Sequence, residues 1–196
     1  MKRIVILVSG RGSNMQAIVA ARLPATIAAV ISNRPDASAL SLAREHGIAT
    51  SVVDHLAYGD RAGYEVQLAA SIDALQPDLI VLAGFMRILT PQFVEHFRNR
   101  IINIHPSLLP SFPGPQAYRQ AYEQGVKIVG VSSHFVTMNL DEGPIIAQDC
   151  FPLRPGMSLK QIIAEGQKLE ATTLLKAVKL YLDKRLDVHW GIVKEV

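Results

Sequence analysis

Short runs of aliphatic residues alternate along the chain with segments in which apolar residues recur every three to four positions. Two of these runs, Ile4–Val8 and Leu79–Leu82, contain only aliphatic residues. Continuous aliphatic runs of this length are typical of strands that helices cover on both faces. The segments between them have the period of amphipathic helices, as in Arg61–Leu75, which ends before Pro77. The alternation predicts an α/β fold with a parallel sheet and right-handed crossovers.

The same patterning places the other elements of the N-terminal half. Glycine, proline and small polar residues separate them, as expected for turns. The predicted strands lie at Ile27–Ile31 and Ser51–Val53, and the predicted helices at Ser13–Ala21 and Ala37–His46.

The pattern changes after Arg100. A predicted strand at Ile101–Ile104 runs into His105, and the next ten residues include Pro106, Pro110, Pro113 and Pro115. Prolines at this density exclude a helix and predict an ordered loop. We then expect a helix at Ala117–Gln124, an antiparallel pair at Lys127–Thr137 and Ile145–Phe151, and a long helix at Ser158–Leu182 with Ser158 as its N-cap.

Composition and charge narrow the possible functions. Hydrophobic residues make up 49% of the 196 residues and charged residues 19%, which favours an ordered core over a disordered chain. Lys and Arg number 20 against 17 Asp and Glu, a formal net charge of +3 without any dense basic run. This balance argues against a nucleic-acid partner and suits small anionic ligands.

Cysteine usage and the N-terminus bear on the compartment. Cys150 is the single cysteine, which excludes an internal disulfide and a CxxC metal site. The first apolar run is shorter than the core of a signal peptide, and no stretch approaches a membrane span of about 20 apolar residues. We expect a cytoplasmic chain without membrane contact, as a monomer or homodimer.

A glycine-rich turn, Ser9–Asn14, joins the first strand to the first helix. Its glycines allow a tight turn, and the helix N-terminus offers N–H groups and a favourable dipole to a phosphate. The turn lacks the third glycine of a dinucleotide fingerprint and the Lys of a Walker A loop. A monophosphate site and a plain strand-to-helix connection both remain open on this segment alone.

Asn103 and His105 lie two residues apart at the end of a predicted strand. Side chains at this spacing share a face, and strand C-termini are where open α/β sheets bind ligands. The Asn103 amide could donate to a developing oxyanion, and His105 could act as a donor or an acid–base group. Asp141, in the turn before Gly143-Pro144, could tune His105 and relay protons through water. From spacing alone, His105 could also be purely structural.

No covalent or metal mechanism has support in the sequence. It contains no GxSxG elbow, no HExxH motif and no suggestive Cys–His couple. Direct transfer through a tetrahedral intermediate needs no nucleophilic side chain, only alignment, an oxyanion donor and a proton path. Asn103, His105 and Asp141 supply such a set.

At these residues the chain resembles the glycinamide ribonucleotide transformylase family of folate-dependent formyltransferases. The resemblance runs from Lys2 to about Leu186. Four motifs carry it: VSGRGSNMQA (8–17), LAGFMRIL (82–89), INIHPSLLPSFPG (102–114) and SHFVTMNLDEGPIIAQ (133–148). It implies a seven-stranded, mostly parallel Rossmann-like sheet with helices on both faces and an antiparallel C-terminal portion. It also implies one formyltransferase domain, with a phosphate-binding half at 1–100 and a catalytic and folate-binding half at 101–196.

The resemblance also implies roles for individual residues in moving a formyl group from 10-formyltetrahydrofolate to glycinamide ribonucleotide, without a metal. Asn103, His105 and Asp141 would be catalytic. His134 lies on a predicted strand, and from its position alone it could either support Asp141 or be purely structural. The substrate phosphate would bind at Gly12, Ser13 and Asn14, and its ribose hydroxyls at Glu170. The folate would contact Arg61, Met86, Arg87, Ile88, Leu89, Asn103, Met138, Asn139 and Leu140.

One segment departs from the transformylase pattern. Transformylases usually have a His-rich stretch after Pro113-Gly114, where this chain has Pro115-Gln116-Ala117-Tyr118-Arg119. That segment, residues 125–135 and residues 166–182 look more like formyltetrahydrofolate deformylase, which passes the formyl group to water. Transfer to a phosphorylated amine, hydrolysis of formyl-folate and a non-catalytic nucleotide-binding module are therefore the three functions to separate.

Overall fold

A computed structural model describes residues 1–196 and divides them into two compact units, Met1–Ile102 and Asn103–Val196. The division falls two residues beyond the boundary expected between the phosphate-binding and catalytic halves. None of the helices combines the length and apolar character that crossing a membrane requires.

The first unit contains four parallel strands in the order β3-β2-β1-β4. All five residues of the first aliphatic run are fully buried in β1, and so are three of the four in β4. This agrees with the sequence pattern of strands covered on both faces. The elements are β1 (Lys2–Val8), α1 (Ser13–Ala20), β2 (Ala25–Ser32), α2 (Ser38–Glu45), β3 (Thr50–Val52), a 3-10 helix (His55–Ala57), α3 (Arg61–Asp73), β4 (Leu79–Leu82) and α4 (Pro91–His96).

The second unit contains the antiparallel pair that the sequence predicted and the long final helix. These elements are β5 (Ile101–His105, which begins two residues before the boundary), α5 (Ala117–Glu123), β6 (Ile128–Phe135), β7 (Ile145–Pro152) and α6 (Leu159–Leu182). Ser158 caps α6 as predicted, in a reciprocal capping box with Gln161. The Ser158 backbone N–H donates to Gln161 Oε1 at 2.8 Å.

The predicted fold class is confirmed. Seven strands form one mixed sheet in the order β3-β2-β1-β4-β5-β6-β7. Three features lie outside the prediction: the 3-10 helix at His55–Ala57, the six-residue helix α4, and a C-terminal hairpin of β8 (Leu186–His189) and β9 (Ile192–Glu195). The hairpin turn, Trp190-Gly191, has positive φ at both residues. That conformation is typical of a two-residue hairpin loop.

Candidate active site

The glycine-rich turn leaves the start of α1 open. Gly12 is the N-cap residue of this helix, with φ of 84°, and no side chain caps the helix. A Cβ at this position would lie 2.7 Å from the Ala39 Cβ, so both the backbone conformation and the space require glycine. The first turn also holds no acidic side chain that would repel an anion. Ser13 is exposed and Asn14 is buried at this opening.

The segment after β4 is tied to the glycine-rich turn. The Met86 N–H donates to Ser9 Oγ at 2.7 Å, and the Ser9 hydroxyl donates to Asn33 Oδ1 at 2.6 Å. Met86 and Ile88 are exposed, at 78% and 56%, whereas Leu89 is buried. Exposed apolar side chains held by a fixed backbone suit a flat apolar ligand.

Arg87, the one charge in this apolar segment, lies over the ring of Tyr64. Its guanidinium carbon is 5.6 Å from the ring centroid, within the range of a cation–π interaction. Tyr64 is fully buried in α3, and burial raises the pKa of its hydroxyl. Arg61 is exposed at the first position of the same helix.

Glu65 and Thr90 form an anchor that the sequence pattern does not predict. The buried Glu65 carboxylate accepts hydrogen bonds from the Thr90 N–H, at 3.1 Å, and from the Thr90 hydroxyl. Thr90 also caps α4, whose first residue is Pro91. A Thr-Pro pair at N-cap and N1 is a helix-start signal that the sequence did contain. The anchor fixes the end of the 86–89 segment.

Asn103, His105 and Asp141 meet in the second unit. His105 Nδ1 lies 3.3 Å from Asp141 Oδ2, and each of the two side chains is only 6% exposed. Asn103 and His105 occupy alternate positions of β5, as their spacing predicted. A buried imidazole beside a buried carboxylate forms a strong electrostatic pair when the ring is protonated.

The proline-rich loop binds both members of this pair through its backbone. The Phe112 carbonyl oxygen lies 2.8 Å from His105 Nε2, and the Gly114 N–H donates to Asp141 Oδ2 at 2.8 Å. Because a carbonyl oxygen only accepts, Nε2 must carry a proton in this arrangement. Nδ1 then faces the carboxylate, and one further proton shared between Nδ1 and Oδ2 would satisfy both groups.

His134 orients the Asn103 amide. Its Nδ1 lies 2.9 Å from the Phe135 carbonyl oxygen, so Nδ1 carries the proton and the neutral ring accepts at Nε2. Asn103 Nδ2 is 3.4 Å from that nitrogen and donates to it. Burial lowers the pKa of His134, which favours this neutral form. The second amide hydrogen of Asn103 remains available to a ligand.

The pH dependence of stability should reveal the neutral state of His134. Its pKa in the folded chain is lowered from the ordinary 6.5 by burial, so the unfolded chain takes up a proton first as the pH falls. The free energy of unfolding should therefore decrease as the pH drops below 6.5. In His134→Gln this slope should be shallower by up to about 1.4 kcal/mol per pH unit, which urea titrations would measure. Equal slopes in the two proteins would contradict a neutral buried His134.

The remaining predicted ligand residues also lie in the second unit. Met138, Asn139 and Leu140 are exposed in the loop before Asp141, where the Asn139 amide donates to Glu142 at 2.9 Å. Glu170, on α6, is half-buried and accepts a hydrogen bond from the Tyr118 hydroxyl at 2.9 Å. The sequence predicts no role for Tyr118.

Comparisons with known proteins agree with the motifs. The formyl transferase family model matches residues 2–178. The phosphoribosylglycinamide formyltransferase of Escherichia coli is 45% identical over 190 residues, which cover 95% of this chain and 90% of the relative. A crystal structure of glycinamide ribonucleotide transformylase 1 from Symbiobacterium toebii superposes with a TM-score of 0.96 at 40% identity, covering 100% of this chain and 94% of that one. The formyltetrahydrofolate deformylase of Escherichia coli is 41% identical over 192 residues, which cover 96% of this chain and 68% of the relative.

Proposed function

This chain belongs to the formyl transferase family, and we propose that it transfers the formyl group of 10-formyltetrahydrofolate to the amine of glycinamide ribonucleotide in purine synthesis. The main support is the buried pair of His105 and Asp141, whose side chains lie 3.3 Å apart. Asn103 lies two residues before His105 on the same strand, β5. Together, these three side chains provide an oxyanion donor and a proton path without a nucleophilic side chain.

In the proposed reaction, the amine nitrogen of the acceptor attacks the formyl carbon. The new C–N bond places negative charge on the formyl oxygen, to which the free Asn103 N–H donates. The intermediate collapses by breaking the bond between the formyl carbon and the folate nitrogen. The proton lost by the amine passes through Asp141 and an ordered water to that folate nitrogen.

His105 serves the proton path in this scheme. The Phe112 carbonyl holds its Nε2–H, so Nδ1 is the nitrogen that exchanges a proton with Asp141. A protonated ring also places positive charge in a buried site, where it would help Asn103 to stabilise the oxyanion.

The ligand contacts of the proposal follow the motifs. Gly12, Ser13 and Asn14 would bind the substrate phosphate, supported by the uncapped start of α1. Glu170 would accept hydrogen bonds from the ribose hydroxyls. The folate would contact Arg61, Met86, Arg87, Ile88, Leu89, Asn103, Met138, Asn139 and Leu140.

Hydrolysis of formyl-folate is the second candidate function. The 41% identity to a deformylase across 96% of this chain favours it, as does the deformylase-like segment at residues 115–119. In that reaction water would take the place of the amine, and Asn103, His105 and Asp141 would keep their roles.

One steady-state assay separates the two functions and tests the proposal. The enzyme is incubated with 10-formyltetrahydrofolate, with and without glycinamide ribonucleotide, and tetrahydrofolate release is followed by absorbance. We expect release that depends on the amine. Equal release without the amine would establish hydrolysis instead, and no release under either condition would contradict both enzymatic functions.

A further inference from the structure

Tyr118 lies in the segment that departs from the transformylase pattern, and the structure joins it to Glu170. It is the second residue of α5, and its side chain is almost fully buried where α5 packs against α6. Its hydroxyl donates to Glu170 Oε1 at 2.9 Å. The chain therefore connects its unusual segment to the carboxylate that the proposed function assigns to the ribose.

Helix α6 leaves space for the tyrosine at Gly166. Gly166 lies one turn before Glu170 on α6, and a Cβ at this position would lie 2.1 Å from the Tyr118 hydroxyl oxygen. Any larger residue would displace the ring or its hydroxyl. Glycine is unfavourable inside a helix, so its presence here matches the need for this close approach.

The hydroxyl is a permanent donor in this position. Burial raises the pKa of Tyr118, and the adjacent Glu170 charge raises it further. The phenol therefore stays protonated near neutral pH, and its hydrogen bond restricts one oxygen of the half-buried Glu170 carboxylate.

We infer that Tyr118 is a positioning residue for the acceptor substrate: its hydroxyl fixes the Glu170 carboxylate in the orientation that accepts hydrogen bonds from the ribose diol. This inference rests on the proposed function, because that function assigns the diol to Glu170. Fixing the carboxylate in advance removes an ordering cost from substrate binding. Tyr118 acts only through Glu170 and touches neither the formyl group nor the folate.

Tyr118→Phe keeps the ring and removes only the hydroxyl. The loss of one hydrogen bond to a charged group is expected to raise the KM for glycinamide ribonucleotide about fivefold to twentyfold. The kcat and the KM for 10-formyltetrahydrofolate should stay within about twofold of wild type, because the bond does not act on the transferring group. A merely structural role would not produce this selective change.

Three further variants sharpen the test. Tyr122→Phe, on the exposed side of the same helix, should leave all kinetic constants unchanged. In a Glu170→Ala background, Tyr118→Phe should have no further effect on KM, because the residue through which it acts is gone. Gly166→Ala, which crowds the hydroxyl from α6, should raise the same KM and keeps the test decisive if Tyr118→Phe folds poorly.

The outcomes distinguish this inference from the function on which it rests. Wild-type enzyme without amine-dependent turnover would contradict the proposed function, and the inference with it. Amine-dependent turnover together with an unchanged KM in Tyr118→Phe would overturn the inference alone. If Tyr118→Phe raises the KM by the same factor in the wild-type and Glu170→Ala proteins, the inference is also overturned. An increase seen only when Glu170 is present would support it.

Discussion

Replacing Asn103 by alanine is expected to lower kcat at least about a hundredfold, the usual cost of a lost oxyanion donor. In the structure this amide donates one hydrogen to His134 and keeps the other for a ligand. Alanine removes both hydrogens, so the charge that forms on the formyl oxygen loses its partner. The effect should be measured as kcat at saturating concentrations of both substrates.

A second variant separates the lost donor from a disturbed fold. Asn103→Asp has nearly the same size, but its carboxylate has no N–H group and repels the developing negative charge, so it should lose at least as much activity as Asn103→Ala. Both proteins should lose far more in kcat than in their Michaelis constants, because Asn103 acts mainly on the charge that develops in the transition state. Turnover like that of wild type in Asn103→Ala would remove Asn103 from the mechanism.

Replacing Asp141 by asparagine is expected to shift or flatten the dependence of kcat on pH and to lower kcat by at least about tenfold. Asparagine can still accept the hydrogen bond from the Gly114 N–H, so the loop should keep its position. The asparagine side chain is neutral, so it cannot stabilise a protonated His105 and cannot relay a proton. The pH profile of kcat, measured between pH 5 and about pH 9, records the change.

Asp149→Asn is the matched control for that change. Asp149 is exposed on β7, where its carboxylate accepts only from the adjacent Cys150 N–H among the hydrogen bonds observed. This variant should have the kinetic constants and pH profile of wild type. An unchanged pH profile in Asp141→Asn would count against the proton relay.

Most of the fold could be predicted because its signals are local. The aliphatic run Leu79–Leu82 and the capping pair of Ser158 and Gln161 each determine an element without long-range information. Helix α4 was missed because it has only six residues, too few for a helical period, although Thr90-Pro91 marks its start. The C-terminal hairpin was missed because its strands have four residues each and little alternation.

Only those parts of the candidate site could be predicted whose chemical role depends on the type and spacing of the side chains. The spacing of Asn103 and His105, with the motifs around them, was enough to predict the family and an enzyme, and both predictions are confirmed. The hydrogen bond from His105 goes to the backbone carbonyl of Phe112, and no side-chain pattern in the sequence predicts a backbone acceptor. The Tyr118–Glu170 contact joins residues 52 positions apart, so it depends on how α5 packs against α6.

Following the formyl carbon itself shows directly whether it passes to the amine or to water. Enzyme, glycinamide ribonucleotide and 10-formyltetrahydrofolate labelled with ¹³C in the formyl group are mixed for a single turnover, and the products are analysed by NMR. We expect the label to appear in the new N-formyl group of formylglycinamide ribonucleotide, with little free formate. Label released as formate while the amine is present would contradict direct transfer.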